Sequence, residues 1–218
     1  RFATSDKRND KSGWYRLSLS PHPHGTFGCW RSDLQQKWRR VPTTATPSER
    51  RDIEAEIEAS YATAAQERER ARDDAAEKAK KEWDTADVCA DNHPYLTAKQ
   101  VRSHGLRVRG NTLLVPMYRE DDQLCSLHQI SPDGKKWFSS QGQTSGAFFT
   151  IGQPTSKVCL AEGYATAASI YESTGIPTVT ALNAGNLGKV AEILRNLYAK
   201  AEIIVCADDD YESDCNIG

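Results

Sequence analysis

The spacing of apolar positions changes character several times along this chain, and each change predicts a different element. Gly13-Trp14-Tyr15-Arg16-Leu17-Ser18-Leu19 reads as a strand, Pro21 to Gly25 as a turn, Thr26–Trp30 as a returning strand and Lys37–Arg40 as a third. From Ser48 to Thr85 there is no glycine or proline, and Ala, Glu, Arg and Lys dominate. That composition predicts one helix of about 38 residues, about 57 Å long at 1.5 Å per residue. Ser48 is the expected N-cap, with Glu49 in the first turn. The helix has only a thin apolar seam (Ile53, Ile57, Tyr61, Ala64, Ala65, Ala75, Ala76, Ala79, Trp83), without the Leu/Ile heptads of a strong coiled coil. A short helix is predicted over 92–104, entered through His93-Pro94. Short strands then follow at Leu106–Arg109, Thr112–Tyr118, Gln123–Ile130, Lys135–Ser139 and Ala147–Ile151. Gly110-Asn111, Glu120-Asp121-Asp122 and Pro132-Asp133-Gly134 supply the turns.

Beyond Lys157 the strand signal alternates with helical periodicity, which predicts a βαβαβ unit with parallel strands. The first strand, Lys157-Val158-Cys159-Leu160-Ala161, runs into Glu162-Gly163, and the last, Ile203-Ile204-Val205-Cys206-Ala207, runs into Asp208-Asp209-Asp210. Thr178–Leu182 lies between them, followed by Asn183-Ala184-Gly185-Asn186 at the start of a helix. In open α/β sheets the ligand crevice lies outside the carboxyl ends of the strands. Glu162, Asp208 and Asp210 are therefore expected to converge there, with Glu162 facing the Asp208/Asp210 pair, because alternate residues of a strand share a face. Hard oxygen donors of this kind suit Mg²⁺ or Mn²⁺, and two such ions can clamp phosphoryl transfer. Gly163 is expected to let the backbone turn tightly beside a helix N-terminus, where anionic oxygens are favoured. Asn183, Asn186 and Lys189 are phosphate-contact candidates, the asparagines equally helix caps.

These residues carry a resemblance. Glu162-Gly163 after one strand and Asp208-x-Asp210 after another resemble the Toprim signature of bacterial-type primases, topoisomerases and some nucleases. Together with Ala161-Glu162-Gly163-Tyr164-Ala165-Thr166-Ala167 and Asn183-Ala184-Gly185-Asn186-Leu187, the pattern is similar to the primases of satellite phages and conjugative plasmids. The resemblance is dense over residues 157–212 and looser back to about Asn92, where a His-Pro-Tyr-Leu stretch precedes the core. It implies a Toprim-type parallel-sheet domain, so the fold class expected is α/β, with the β-rich N-terminal modules and the long charged helix read above in front of that domain. It also implies a DNA primase that makes short RNA primers from ribonucleoside triphosphates on a single-stranded DNA template, with Glu162, Asp208 and Asp210 as catalytic metal ligands. The preceding subdomain would carry a basic groove for template and primer, for which Arg107, Arg109, Lys135, Lys136 and Lys157 are the candidates. Because that fold continues with a helix and strand after the second pair of acids, the segment is expected to be incomplete at its C-terminus. The absence of an initiating Met points the same way. A metal-dependent nuclease or nicking enzyme is the alternative activity, and a non-catalytic DNA-binding module the alternative class. No GxxxxGK[ST] loop is present, so a helicase is expected elsewhere in a longer polypeptide or in trans.

Composition adds boundaries rather than a different class. The four expected regions are a basic β module (1–47), the charged helix (48–91), a basic β-rich subdomain (92–156) and the acidic Toprim part (157–218). The overall net charge is −2, yet residues 1–47 hold nine Lys/Arg against three Asp/Glu, and residues 161–218 three against nine. That asymmetry fits a polyanion held in one place and metals in another. The aromatics Trp14, Tyr15, Phe27, Trp30 and Trp38 interleave with Arg16, Arg31, Lys37, Arg39 and Arg40 in the first module, which reads equally as a small core or as a single-strand-binding face. Six cysteines are far apart with no CxxC pair. Zinc is not expected, although His22, His24 and Cys29 offer ligand types, and free thiols fit a reducing compartment. No apolar run approaches 18 residues, so no membrane span is expected, and the location expected is the cytoplasm of a bacterial cell.

Overall fold

A computed structural model describes residues 1–5, 11–29 and 34–207. The chain divides into two compact units, Arg1–Glu69 and Arg70–Gly218. In the first, β1 (Gly13–Ser18), β2 (His24–Cys29) and β3 (Leu34–Arg39) form an antiparallel sheet in that order. The predicted Trp30 and Arg31 lie outside the described residues. The long helix α1 spans Pro47–Thr85. Its N-cap is Thr46 rather than Ser48: Thr46 Oγ1 accepts from the Glu49 N–H at 3.3 Å, and the Glu49 carboxylate accepts from the Thr46 N–H at 2.7 Å. This reciprocal capping box leaves Pro47 at the first helical position, where its missing N–H costs nothing. The Thr46 N–H and hydroxyl hold the Glu49 carboxyl below its usual range.

One face of the small sheet packs on this part of α1. Lys37 pairs with Glu58 at 3.0 Å and Arg39 with Glu54 at 3.1 Å, while the Tyr61 hydroxyl donates to the Gly25 and Trp38 carbonyls at 2.9 Å each. Buried His24 spends both ring nitrogens: Nδ1 donates to the His22 carbonyl at 2.6 Å, which leaves Nε2 to accept from the Ser60 hydroxyl at 2.9 Å. His24 therefore has no free nitrogen for a metal.

In the second unit, β4 (Asp87–Val88), β5 (Arg107–Arg109), β6 (Thr112–Tyr118), β7 (Leu124–Ile130) and β8 (Lys136–Phe138) form a five-stranded antiparallel sheet in sequence order. Ala79 of α1 packs with Leu114 and Leu127 on one side. Leu113, Val115, Met117 and Ile130 face the main core on the other, as period-two alternation requires. Helix α2 is confined to Pro94–Lys99, shorter than the predicted 92–104, because Gln100 closes it in the left-handed region at φ 55°. His93 caps it, its Nδ1 accepting from the Tyr95 N–H at 3.2 Å.

The second sheet has the order β12 (Glu202–Cys206), β10 (Lys157–Ala161), β11 (Thr178–Thr180), β9 (Phe149–Ile151). β10 runs parallel to both β11 and β12, and β9 is antiparallel to β11. Residues Phe149–Ile151, grouped by the sequence with the preceding hairpins, thus complete the parallel sheet. Helix α3 (Tyr164–Thr174) packs with Ala161, and helix α4 (Leu187–Leu197) covers Val158, Leu160, Val179 and Ala181 through Val190 and Leu194. A sheet clad on both faces explains why β10 is apolar without alternation. No helix among the described residues is long and apolar enough to cross a membrane.

Candidate functional site

The three parallel strands end in one row. Ala161 at the end of β10 is level with Thr180 of β11 and with Cys206 of β12. The next residues are therefore Glu162, Ala181 and Ala207, all at the carboxyl edge. The Glu162 carbonyl is fixed by two donors from the β11 exit, the Leu182 N–H at 2.7 Å and the Thr180 hydroxyl at 2.9 Å. Leu182 adopts φ 66°, a conformation rare outside glycine, and this turns the chain sharply along the edge. The Glu162 side chain is half-buried and has neither a hydrogen bond nor an ion pair among the described residues. Asp208 and Asp210, the other two predicted ligands, lie outside the described residues. Among the described residues there is no cluster of three His, Cys, Asp or Glu side chains able to hold a metal.

Gly163 follows Glu162 as the N-cap of α3, with φ −104° and no side-chain cap. The chain does bend at Glu162-Gly163, but through a backbone conformation open to any residue. A Cβ would meet only Thr166 Oγ1, at 4.0 Å. What the glycine leaves is open space in front of the uncapped N–H groups of the helix, beside Glu162. Tyr164, the next residue, is buried, and its hydroxyl donates to the Arg102 carbonyl at 2.7 Å. Desolvation pushes its phenol far up, with nearby acids adding to the shift. Further along α3, burial alone would raise the Glu172 carboxyl. The Arg102 N–H at 2.8 Å and His104 at 2.6 Å nonetheless hold it below its ordinary value. Helix α3 is thereby tied at both ends to residues 102–104.

The asparagines on the β11 exit part company. Asn183 is half-buried and caps with its backbone alone, its side chain making no capping bond. Asn186 is buried and committed to the backbone. Its Oδ1 accepts from the Gly146 N–H at 2.7 Å, and its Nδ2 donates to the Ala147 and Ala181 carbonyls at 2.8 and 2.9 Å. Both amide hydrogens are used, so Asn186 is not the phosphate contact expected from sequence but a tie between the strand edge and the loop before β9. It caps no helix through its side chain either. Nothing in its sequence position distinguished it from Asn183. Lys189 is exposed on α4, and its stem passes 3.3 Å from where a Gly146 Cβ would sit.

Of the five basic-groove candidates, four are engaged within the molecule. Arg107 donates to the Trp83 carbonyl and lies 4.9 Å from the centre of that indole. Arg109 pairs with Glu82 at 3.0 Å, Lys135 with Asp133 at 2.9 Å and Lys157 with Glu202 at 2.9 Å. The carboxylates beside Lys135 and Lys157 raise both ammonium groups. Arg107 and Arg109 hold the end of α1 to β5. Lys136 is the exception, exposed and without an ion-pair partner, next to exposed Trp137.

Residues 156–212 match the Toprim domain family. Over 213 residues, 94% of its length, the chain is 30% identical to a DNA primase TraC of Escherichia coli, and over 212 residues it is 26% identical to a second DNA primase TraC of the same species. It spans 20% and 15% of the length of those relatives. Among solved structures, the primase fragment of the bacteriophage T7 primase-helicase protein is similar at a TM-score of 0.44 and 13% identity, covering 88% of this chain and 76% of that one. That likeness is too remote to bear on function. The Toprim segment begins one residue before β10 and takes in the whole row of parallel strand ends.

Proposed function

We propose that this chain is the catalytic part of a DNA primase, a nucleotidyltransferase that joins ribonucleotides into short primers on single-stranded DNA. The observation that carries the reading is the match to DNA primase TraC, which covers 94% of the chain and so takes in the β-rich region as well as the Toprim segment around Glu162. A Toprim segment alone would serve a nuclease equally well.

The chemistry at the strand edge supports it. Glu162 is a hard oxygen donor that no described cation neutralises, held by a backbone whose carbonyl is anchored to Thr180 and Leu182. It fits a divalent ion such as Mg²⁺ or Mn²⁺, and Asp208 and Asp210 would complete the ligand set. When bound, such ions supply charge neutralisation at phosphate oxygens. The chain's own residues orient the reactants. The uncapped start of α3, left open by Gly163, offers N–H donors and a positive dipole end to a nucleotide phosphate. Lys136, Lys189 and Asn183 are the remaining candidates for phosphate contact. A helicase, in the same polypeptide or as a partner, would deliver the template, and the working location would be the cytoplasm of a bacterium hosting a plasmid or phage.

The test is primer synthesis on single-stranded DNA with labelled ribonucleotides and Mg²⁺ or Mn²⁺. It would compare the unaltered protein with Glu162→Gln and Asp208→Asn. Ladders of short RNA lost in both variants are expected. Template cleavage that is equally sensitive to both substitutions, without synthesis, would make the protein a nuclease instead.

A further inference from the structure

We infer that the β1–β2–β3 sheet binds single-stranded nucleic acid on the face opposite α1, at a site separate from the Toprim edge. The pairing register sorts the sheet into two faces. Ser18, His24 and Arg39 share one, as do Arg16, Thr26 and Lys37, and it is the face that meets α1 through His24, Lys37 and Arg39. Tyr15 and Phe27 share the other, with Leu17, Gly25 and Trp38 in the neighbouring row. On that second face Tyr15 is 65% exposed, Leu17 50%, Trp38 44% and Leu34 43%. Phe2 joins them, its ring lying over Gly13 and 6.3 Å from the Tyr15 ring. Of the aromatic residues that the sequence allowed as either core or binding surface, Tyr15 and Trp38 are thus displayed on a formed sheet whose other face already has its helix.

Charge identifies the occupant. Residues 1–47 carry nine Lys/Arg against three Asp/Glu. Lys37 and Arg39 are neutralised by α1 and Arg16 lies on the α1 face, but Lys11 and Arg40, at the two ends of the sheet, are exposed with no ion-pair partner among the described residues. Exposed rings edged by free cations suit a strand whose bases are unpaired, since stacking needs an open base face and the phosphates need the cations. A duplex hides its base faces and offers only groove edges and backbone. An apolar protein segment would use the rings and gain nothing from the cations.

Binding of a fluorescein-labelled oligothymidylate to the 218-residue chain, followed by anisotropy, tests the inference. Replacing Tyr15 and Trp38 together by alanine should lower affinity by roughly tenfold or more, since each stacked ring accounts for about 5- to 150-fold. Tyr15→Phe with Trp38→Phe should keep the affinity, because the rings remain. Removing Lys11 and Arg40 should flatten the salt dependence by about 0.7 in log–log slope for each phosphate released. Equal affinity of the double-alanine variant and the unaltered chain, with both folded by circular dichroism, overturns the inference and gives the face to a protein partner. So does equal loss in the phenylalanine variant. The measurement is separable from the catalytic reading. Glu162→Gln should leave this binding intact, and normal binding by the double-alanine variant would not touch a synthesis that depends on Glu162.

Discussion

His128 gives the sharpest stability prediction. It sits on β7 at 4% exposure, with its ring against Phe138 at 4.8 Å between centroids and its Nδ1 buried without a partner. Burial, and secondly the Lys136 ammonium, lower its pKa from 6.5 to about 4. The native state thus keeps this imidazole neutral at a pH where the unfolded chain would protonate it. Because the unfolded state binds more protons in that window, stability rises with pH through it. The contribution is fully present above about pH 6.5 and is lost as the pH falls towards 4. At 1.36 kcal/mol per pKa unit, a gap of this size amounts to about 3 kcal/mol, an order-of-magnitude figure. Urea denaturation at a series of pH values measures it directly. His128→Phe, which keeps a ring at the site and removes the titration, should flatten the pH dependence by about that amount. Lys136→Ala should move the His128 transition upward by removing the nearby positive charge. Parallel stability curves for His128→Phe and the unaltered chain would refute the reasoning, as would an NMR titration placing His128 near 6.5.

Other substitutions test other elements. Asn186→Ala leaves two carbonyls and one N–H without their partner in a buried place, and should cost roughly 3 kcal/mol or more by urea denaturation. Gly163→Ala meets only open space and an ordinary φ, so its melting temperature should stay close to that of the unaltered chain while primer synthesis falls, because the methyl group stands before the helix N-terminus. Tyr164→Phe removes a single buried donor to the Arg102 carbonyl and should cost about 1 kcal/mol. Lys157→Ala breaks an exposed ion pair with Glu202, and the urea midpoint should stay close to that of the unaltered chain.

Much of the fold was legible because local chemistry and tertiary structure agree. The stretch without glycine or proline is helix α1, and Thr112–Tyr118 is a strand with the predicted ends. The parallel pairing of the runs that precede Glu162 and Ala207 was also legible, since both are apolar on each face. Where sequence reading missed, the deciding partner was a nearby residue passed over, a distant one, or one that told apart two locally equivalent residues. Thr46 outcompeted Ser48 as cap because Glu49 lies three residues after Thr46. Asn186 looked like Asn183 until Gly146 and Ala147, some forty residues earlier, supplied its partners. Four basic residues looked available for nucleic acid because their acidic or aromatic partners are not their neighbours in sequence, or were not weighed. The first module stayed ambiguous because an aromatic residue reads the same whether buried or displayed.

The common row at the end of β10, β11 and β12 constrains how this protein can change length. A residue inserted within β10 would carry Glu162 out of line with the β11 exit and turn the strand's remaining side chains to the opposite helix. The turn at Glu120-Asp121-Asp122 has no such row to keep, and loops of that kind absorb insertions at small entropic cost. Descendants of this sequence should therefore vary in length at the hairpin tips while the spacing from Lys157 to Gly163 stays fixed, even where the residues themselves drift.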